Sequence, residues 1–327
     1  SASPGRGVAR LYLRQIFMSE TFRSIPHERA EANTVLRPNG IQLKLYRMSG
    51  PVQKGPFILF GHANGMAAGS YLQLLEGLAL KATVFTFDAR GHGGSSTPET
   101  RFDFHYNMDA FATDLEAITE SVRNEIGTSP LHYAAHSLNA VAALRLGSMR
   151  KRCFWEGVTL FEPPIFPPLA HPLYAEAEMR TEELVRLSQN RKARWLNPQV
   201  LADALENKPL FQLFEEGRLL DYARANLRPT GEGDYTLTSP PKVEATIFAC
   251  HNNPVNYDGL PDFPMPVHFV SGDPKISLAG NWIAKLAPDL IKHISGATLS
   301  VVDGTSHLLP FEVTARTKTS ILAMLSD

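Results

Sequence analysis

The chain has 327 residues, 43% of them hydrophobic and 20% charged, which is enough to bury one large core and carry an insertion. Its 32 Lys and Arg against 33 Asp and Glu leave a formal net charge of −1, so no electrostatic footprint points to nucleic acid or an anionic membrane, and a small-molecule partner is expected instead. No stretch approaches the roughly 18 consecutive apolar residues of a membrane-spanning helix, which points to a soluble protein with no membrane span.

The first 32 residues read as an N-terminal extension. Arg6, Arg10 and Arg14 precede the first acid, Glu20, a pattern that suits a basic amphipathic helix, a targeting remnant or a segment foreign to the fold, and Met18 is a possible start. Residues 1–17 are therefore set aside. Two β runs over 34–49 flank Pro38-Asn39-Gly40, a strong hairpin signal. Pro56 to Phe60 is a continuous apolar run, as in strands covered on both faces. It runs into the loop Gly61-His62-Ala63-Asn64-Gly65 and a helix over about 69–80. Ala82 to Phe87 forms the next strand, closed by the glycine-dense Asp88-Ala89-Arg90-Gly91-His92-Gly93-Gly94-Ser95.

Over 107–126 the apolar positions Met108, Phe111, Leu115, Ile118 and Val122 step by three and four, predicting a helix laid on a sheet. Leu131 to His136 then reads as a buried strand running without a linker into a helix over 138–151. Ser137 stands at that corner. A serine on a sharp strand-to-helix turn exposes its hydroxyl at the carboxyl end of the sheet; the same residue type also caps helices, so Ser137 by itself reads as either nucleophile or N-cap. Ala135 and Ala140 supply the small neighbours of a G-x-S-x-G elbow, and Asn139 stands where glycine is usual, tolerated because Asn accepts unusual backbone angles. Trp155 to Phe161 is a further strand. Strand and helix alternate as in a doubly wound, mostly parallel sheet, whose ligand crevice lies beyond the carboxyl ends of the strands.

After Glu162 the alternation stops at Pro163, Pro164, Pro167, Pro168 and Pro172. Helical stretches follow around 174–190, 198–206 and 209–226 with no clear strand, which predicts a helical cap over 163–262 inserted into a core of 33–162 and 263–327. Trp195, Phe211, Phe214, Tyr222, Phe248 and Tyr257 either line an acyl pocket or fill the cap's own core. A strand at 266–270, a helix near 278–290, a strand at 297–302 and a last helix from about 310 complete the core. Cys153 and Cys250 lack disulfide or zinc spacing and read as buried free thiols, which fits a reducing compartment, cytoplasmic or organellar. No histidine pair has metal-binding spacing, and neither metal nor cofactor is expected.

Taken together, His62-Ala63-Asn64-Gly65, Asp88-Ala89-Arg90-Gly91-His92-Gly93, the elbow around Ser137 and Gly304-Thr305-Ser306-His307 resemble, in order and spacing over 33–327, the α/β-hydrolase family with a cap domain. The resemblance implies Ser137 as nucleophile, His307 as its base, and the backbone N–H groups of Asn64 and Leu138 as oxyanion donors. The Asn64 side chain either adds a third donor or holds its loop. His62 and His92 take loop-shaping positions; His136 points away from the nucleophile along its strand.

The acid of the triad has two candidates. At the usual family position stands Lys275, so Asp273 in Ser271-Gly272-Asp273-Pro274 would serve with a shifted loop; Glu162 ends the preceding strand, where relatives resembling haloalkane dehalogenases keep their acid. Glu162 is favoured, and Asp273, like Asp303, then reduces to turn chemistry. A serine nucleophile argues against dehalogenase or epoxide hydrolase chemistry and for acyl transfer on an ester or thioester. The loop at 62–65, with an acid after the strand beside the elbow, also resembles fungal-type acyl-coenzyme A hydrolases acting on secondary metabolites. Cofactor-free lyases or dioxygenases and capped small-molecule receptors share the scaffold and are the alternatives.

Overall fold

In the computed structural model residues 22–48, 50, 55–276 and 281–325 are described; the basic segment 1–17 lies outside them. The sheet begins with a hairpin, β1 (Glu31–Leu36) and β2 (Gln42–Met48), paired antiparallel around Gly40 at φ +82°. β3 (Phe57–Gly61), helix α1 (Leu72–Ala79), β4 (Thr83–Asp88), α2 (Met108–Ile126), β5 (Leu131–His136), α3 (Leu138–Arg150) and β6 (Gly157–Phe161) follow in strict alternation. The expected boundary at residue 33 falls inside β1. Ahead of it Ser24 and Ile25 are already buried, with the Ser24 hydroxyl donating to Asp88 at 2.8 Å, so the core takes in residues assigned to the extension.

Between β6 and the next strand of the sheet lie α4 (Tyr174–Gln189), β7 (Arg194–Trp195), α5 (Pro198–Glu206), α6 (Arg218–Asn226), β8 (Leu227–Pro229), β9 (Tyr235–Leu237) and α7 (Pro241–Cys250). The segment is not purely helical as expected: β7, β9 and β8 form their own three-stranded antiparallel sheet. Strands of two and three residues are too short to show an alternating pattern, which is why the sequence hides them. The expected helix at 209–226 is broken by Gly217 at φ +80°, and α7 was not foreseen. The chain then returns to the large sheet with β10 (His268–Gly272), α8 (Asn281–Leu290), β11 (Thr298–Val302) and α9 (Thr314–Ala323).

Eight strands stand in the order β1-β2-β4-β3-β5-β6-β10-β11, parallel from β4 onward. Their side chains alternate between two cores. Leu59, Phe85, Tyr133, Leu160 and Phe269 face α2, α3 and α8, while Ile58, Phe60, Val84, Ala134 and Val270 face α1 and α9. Burial on both faces accounts for the uninterrupted apolar runs. The chain leaves β3 toward β4 and resumes on the other side at β5, so the strand order reverses between β3 and β5, where α/β sheets open their crevice.

Cys153 departs from expectation: it is exposed, because it follows the left-handed turn at Lys151 that ends α3, and Cys250 is only half-buried. Among the described residues no helix is long and apolar enough to cross a membrane.

Candidate active site

Ser137 occupies the junction of β5 and α3 with φ +55° and ψ −110°, a conformation that turns the chain sharply between strand and helix. Its N–H donates to the Phe161 carbonyl at 2.9 Å, continuing the pairing of β5 with β6. Its hydroxyl makes no cap bond to α3. Instead Oγ lies 3.1 Å from His307 Nε2, across 170 residues of chain. The N-cap reading of this serine is thereby set aside in favour of a hydroxyl aimed at an imidazole.

His307 hangs beyond β11 on a loop whose geometry is fixed from behind. Glu312, largely buried and with its pKa raised by that burial, accepts the Ser306 N–H at 2.7 Å and the Ser306 hydroxyl. The Nδ1 of His307 faces Glu162 Oε2 at 3.3 Å. Glu162 sits just past β6 at φ +48°, 2% exposed, and its other oxygen accepts Ser271 Oγ at 2.8 Å and Gly272 N–H at 2.7 Å. Donors from β10 thus aim this carboxylate. Asp273 is turned to other work: Oδ1 accepts Lys275 N–H at 2.9 Å and Oδ2 accepts Gly304 N–H at 3.1 Å, tying together the two loops after β10 and β11. Of the two acids considered, the structure brings Glu162 to His307 and leaves Asp273 in a turn.

Across the crevice stands the loop after β3. Asn64 Nδ2 donates to the Glu244 carbonyl at 3.0 Å, so the side chain holds its loop. His62 is buried and its Nε2 accepts the Ala89 N–H at 2.8 Å; His92 Nε2 accepts the Gly65 N–H at 3.0 Å. Burial lowers both imidazole pKa values, that of His92 to about 3, so both rings are neutral braces.

Two features escaped the sequence reading. Asn139 is not at an unusual backbone angle; it is helical, and the strained residue is Ser137 itself. What permits a side chain at 139 is Gly61: a Cβ there would lie 2.6 Å from Asn139 Cβ and 2.7 Å from the Tyr133 hydroxyl. The glycine has moved to the neighbouring strand, and Asn139 Nδ2 uses the space to donate to the His62 carbonyl at 2.6 Å. The second is His136, which braces His307. Its Nε2–H donates to the His307 carbonyl at 2.8 Å, its Nδ1 accepts the Tyr71 hydroxyl at 2.7 Å, and that hydroxyl accepts the Ala63 N–H at 3.1 Å. Burial holds its pKa well below the ordinary value, so the ring is neutral, and the His307 carbonyl, which can only accept, fixes its one proton on Nε2.

Ser137 and His307 open onto a cavity of about 640 Å³ whose far wall comes from the segment between β6 and β10. Trp195, Phe211, Tyr222 and Phe248 line it. Phe214 stacks instead on Phe311 at 4.9 Å, and Tyr257 pairs with His293. Among the described residues no group of His, Cys, Asp or Glu is arranged to hold a metal ion.

The family model of the alpha/beta hydrolase family matches residues 58–317. No curated protein matches the chain in sequence. Among solved structures, E-2-(acetamidomethylene)succinate hydrolase aligns with a TM-score of 0.71 at 18% identity, over 91% of this chain and 100% of that one. The thioesterase domain from the curacin biosynthetic pathway gives 0.68 at 20% identity, over 90% and 99%. The enol-lactonase from Burkholderia xenovorans gives 0.61 at 16% identity, over 88% and 98%. At such identities these likenesses are of fold; the family match spans most of the sequence, and the chain belongs to the alpha/beta hydrolase family.

Proposed function

We propose that the protein is a serine hydrolase that cleaves a carboxylic ester or thioester of a small hydrophobic acyl substrate through an acyl-serine intermediate. The observation that carries this reading is the line of Ser137 Oγ, His307 and Glu162, with separations of 3.1 and 3.3 Å, at the floor of an aromatic-lined cavity. A fold that also carries a thioesterase and an enol-lactonase can house such chemistry. Residues 163–262 then act as a lid over a core of 33–162 and 263–327, extended at its start by residues from Ser24 onward.

In the proposed reaction, Oγ attacks the acyl carbon as its proton passes to His307 Nε2. Glu162, accepting from Nδ1–H, orients the ring and stabilises the imidazolium that forms. The carbonyl electrons move onto oxygen, and the backbone N–H groups of Leu138 and Asn64 receive the oxyanion; each such donor is worth about a hundred- to a thousand-fold in rate. When the tetrahedral centre collapses, the C–O or C–S bond breaks and the proton on Nε2 goes to the leaving group. A water, deprotonated by the same nitrogen, attacks the acyl-serine; the C–Oγ bond breaks, the proton on Nε2 returns to Ser137 Oγ, and the acid is released. No step calls on a cofactor, and the proposed partner is a small-molecule substrate.

A fluorophosphonate probe tests the reading directly. Stoichiometric labelling at Ser137, absent in Ser137→Ala together with esterase activity, is the expected result; Ser137→Ala should lower turnover by about four to six orders of magnitude. Ligand binding without labelling would make the protein a receptor, and activity surviving Ser137→Ala would point to base chemistry at His307. A panel of p-nitrophenyl esters against acyl-coenzyme A thioesters then sorts the leaving group.

A further inference from the structure

The cavity wall holds a largely buried ion pair that the proposed reaction does not use. Arg191, just beyond α4, donates from Nη1 to Glu244 Oε2 on α7 and from Nη2 to the Tyr222 hydroxyl on α6 at 2.8 Å. The two charged side chains are 25% and 8% exposed. Such a pair seldom adds stability over apolar side chains of the same volume, so its presence calls for another reason.

Besides the Ser188 hydroxyl, which donates to Glu244 Oε1 at 3.4 Å, the contacts around it lead to the loop after β3. The Tyr222 hydroxyl donates onward to the Gly65 carbonyl at 3.3 Å, and the Glu244 backbone carbonyl accepts from Asn64 Nδ2 at 3.0 Å. Gly65 is at φ +70°, and a Cβ there would lie 2.7 Å from Glu244 Oε1 and 3.5 Å from Arg191 Nη1, so the carboxylate presses on backbone that only glycine leaves bare. From the core side, His92 and Asn139 grip the same loop through Gly65 N–H and the His62 carbonyl. Residues 62–65 are clamped between core and inserted segment.

We infer that Arg191, Glu244 and Tyr222 are positioning residues that hold the Ala63–Gly65 backbone in place, so that the Asn64 N–H is aimed at the oxyanion only while the inserted segment is seated on the core. The inference rests on the reading of Ser137 as nucleophile and of the Asn64 N–H as an oxyanion donor. Guanidinium, carboxylate and phenol act through the loop and need not touch substrate. A displacement of about 1 Å at a catalytic group can cost about a hundred-fold in rate, so a loosened clamp should show in turnover.

Removing Glu244 alone would strand a buried guanidinium and can unfold the segment. The test therefore compares Tyr222→Phe, which deletes one hydroxyl, with the paired replacement Arg191→Met and Glu244→Leu, measured on one p-nitrophenyl ester beside the parent and Ser137→Ala. Expected are folded variants with kcat lowered about ten- to a hundred-fold, KM changed less than about threefold, and an unmoved pH midpoint of kcat/KM, since His307 is untouched. A folded paired variant with kcat within about twofold of the parent overturns the inference. So does a loss carried entirely by KM, which would make the cluster a substrate contact. Should the paired variant fail to fold, Tyr222→Phe decides by the same criteria. Turnover surviving in Ser137→Ala would bring down the acyl-serine reading instead, a result visible apart from the clamp.

Discussion

Ser137, Glu162 and His307 stand on the carboxyl ends of β5, β6 and β11, and the first two are buried to within a few per cent of full exclusion from solvent. The opposite wall of the same cavity is built from α4 to α7, where Trp195, Phe211 and Phe248 are half-buried and Leu187 and Leu213 are exposed. The floor gets most of its precision from parallel strands whose register leaves each side chain one place to go, with side-chain bonds from Glu312 and His136 holding the His307 loop. The roof gets its precision from side-chain bonds such as Arg191–Glu244, each removable by one substitution. One cavity therefore has a side whose geometry survives most single changes and a side whose geometry depends on a few.

The sharpest way to break that contrast lies in the floor. Glu162→Gln keeps the shape but replaces the carboxylate facing His307 Nδ1, and it should lower kcat by about three to four orders of magnitude. Asp273→Asn, which touches only the Lys275 and Gly304 amides, should leave kcat within about twofold. Steady-state kinetics on the two purified variants decides between the acids: near-parent activity in Glu162→Gln with loss in Asp273→Asn would require the loops after β10 and β11 to rearrange during turnover.

The same contrast explains what the sequence discloses. β3 to β6 are five- and six-residue, mostly apolar runs with a helix between each, so the alternation, the parallel sheet and the strand-to-helix corner at Ser137 can be read from the sequence. β7 to β9 have too few residues to carry a period, and α7 begins at Pro240-Pro241, where two prolines mimic a loop. Lys275 at the usual acid position could be recognised as a departure, but choosing between Glu162 and Asp273 needed the β6–β10 pairing that sets Gly272 N–H against Glu162. Compensation between Gly61 and Asn139 was illegible for the same reason: the two are 78 positions apart and meet only because β3 pairs with β5.

That compensation gives a stability test of the floor. Gly61→Ala puts a methyl group within 2.6 Å of Asn139 Cβ, and overpacking of this kind should cost about 1–3 kcal/mol in urea unfolding. Adding Asn139→Gly restores the more usual elbow and removes the nearest clash, so the double variant should recover part of the loss despite losing the bond to the His62 carbonyl. If the two changes simply add, β3 and α3 are not competing for the same space, and the floor is less tightly determined than its distances imply.

The smallest expected effect separates floor from roof by acid. Burial pushes His92, behind the floor, down to about 3 and His251, on the cavity wall, down to about 4, the nearby His307 adding to the latter. In the unfolded chain both would take a proton near pH 6.5, whereas the native protein refuses it until the pH approaches those lowered values. Between pH 6.5 and about 4 the unfolded state therefore binds more protons, and stability falls as the pH falls, by up to about 2 kcal/mol per such histidine at pH 5. Among the described residues His251 Nε2 has no hydrogen-bond partner, so His251→Gln breaks no bond described at that nitrogen. Urea unfolding at pH 7 and pH 5 should show a smaller drop in this variant than in the parent. An equal drop would place the acid-labile protonation at other buried histidines, such as His92 and His136 in the floor, and not at His251.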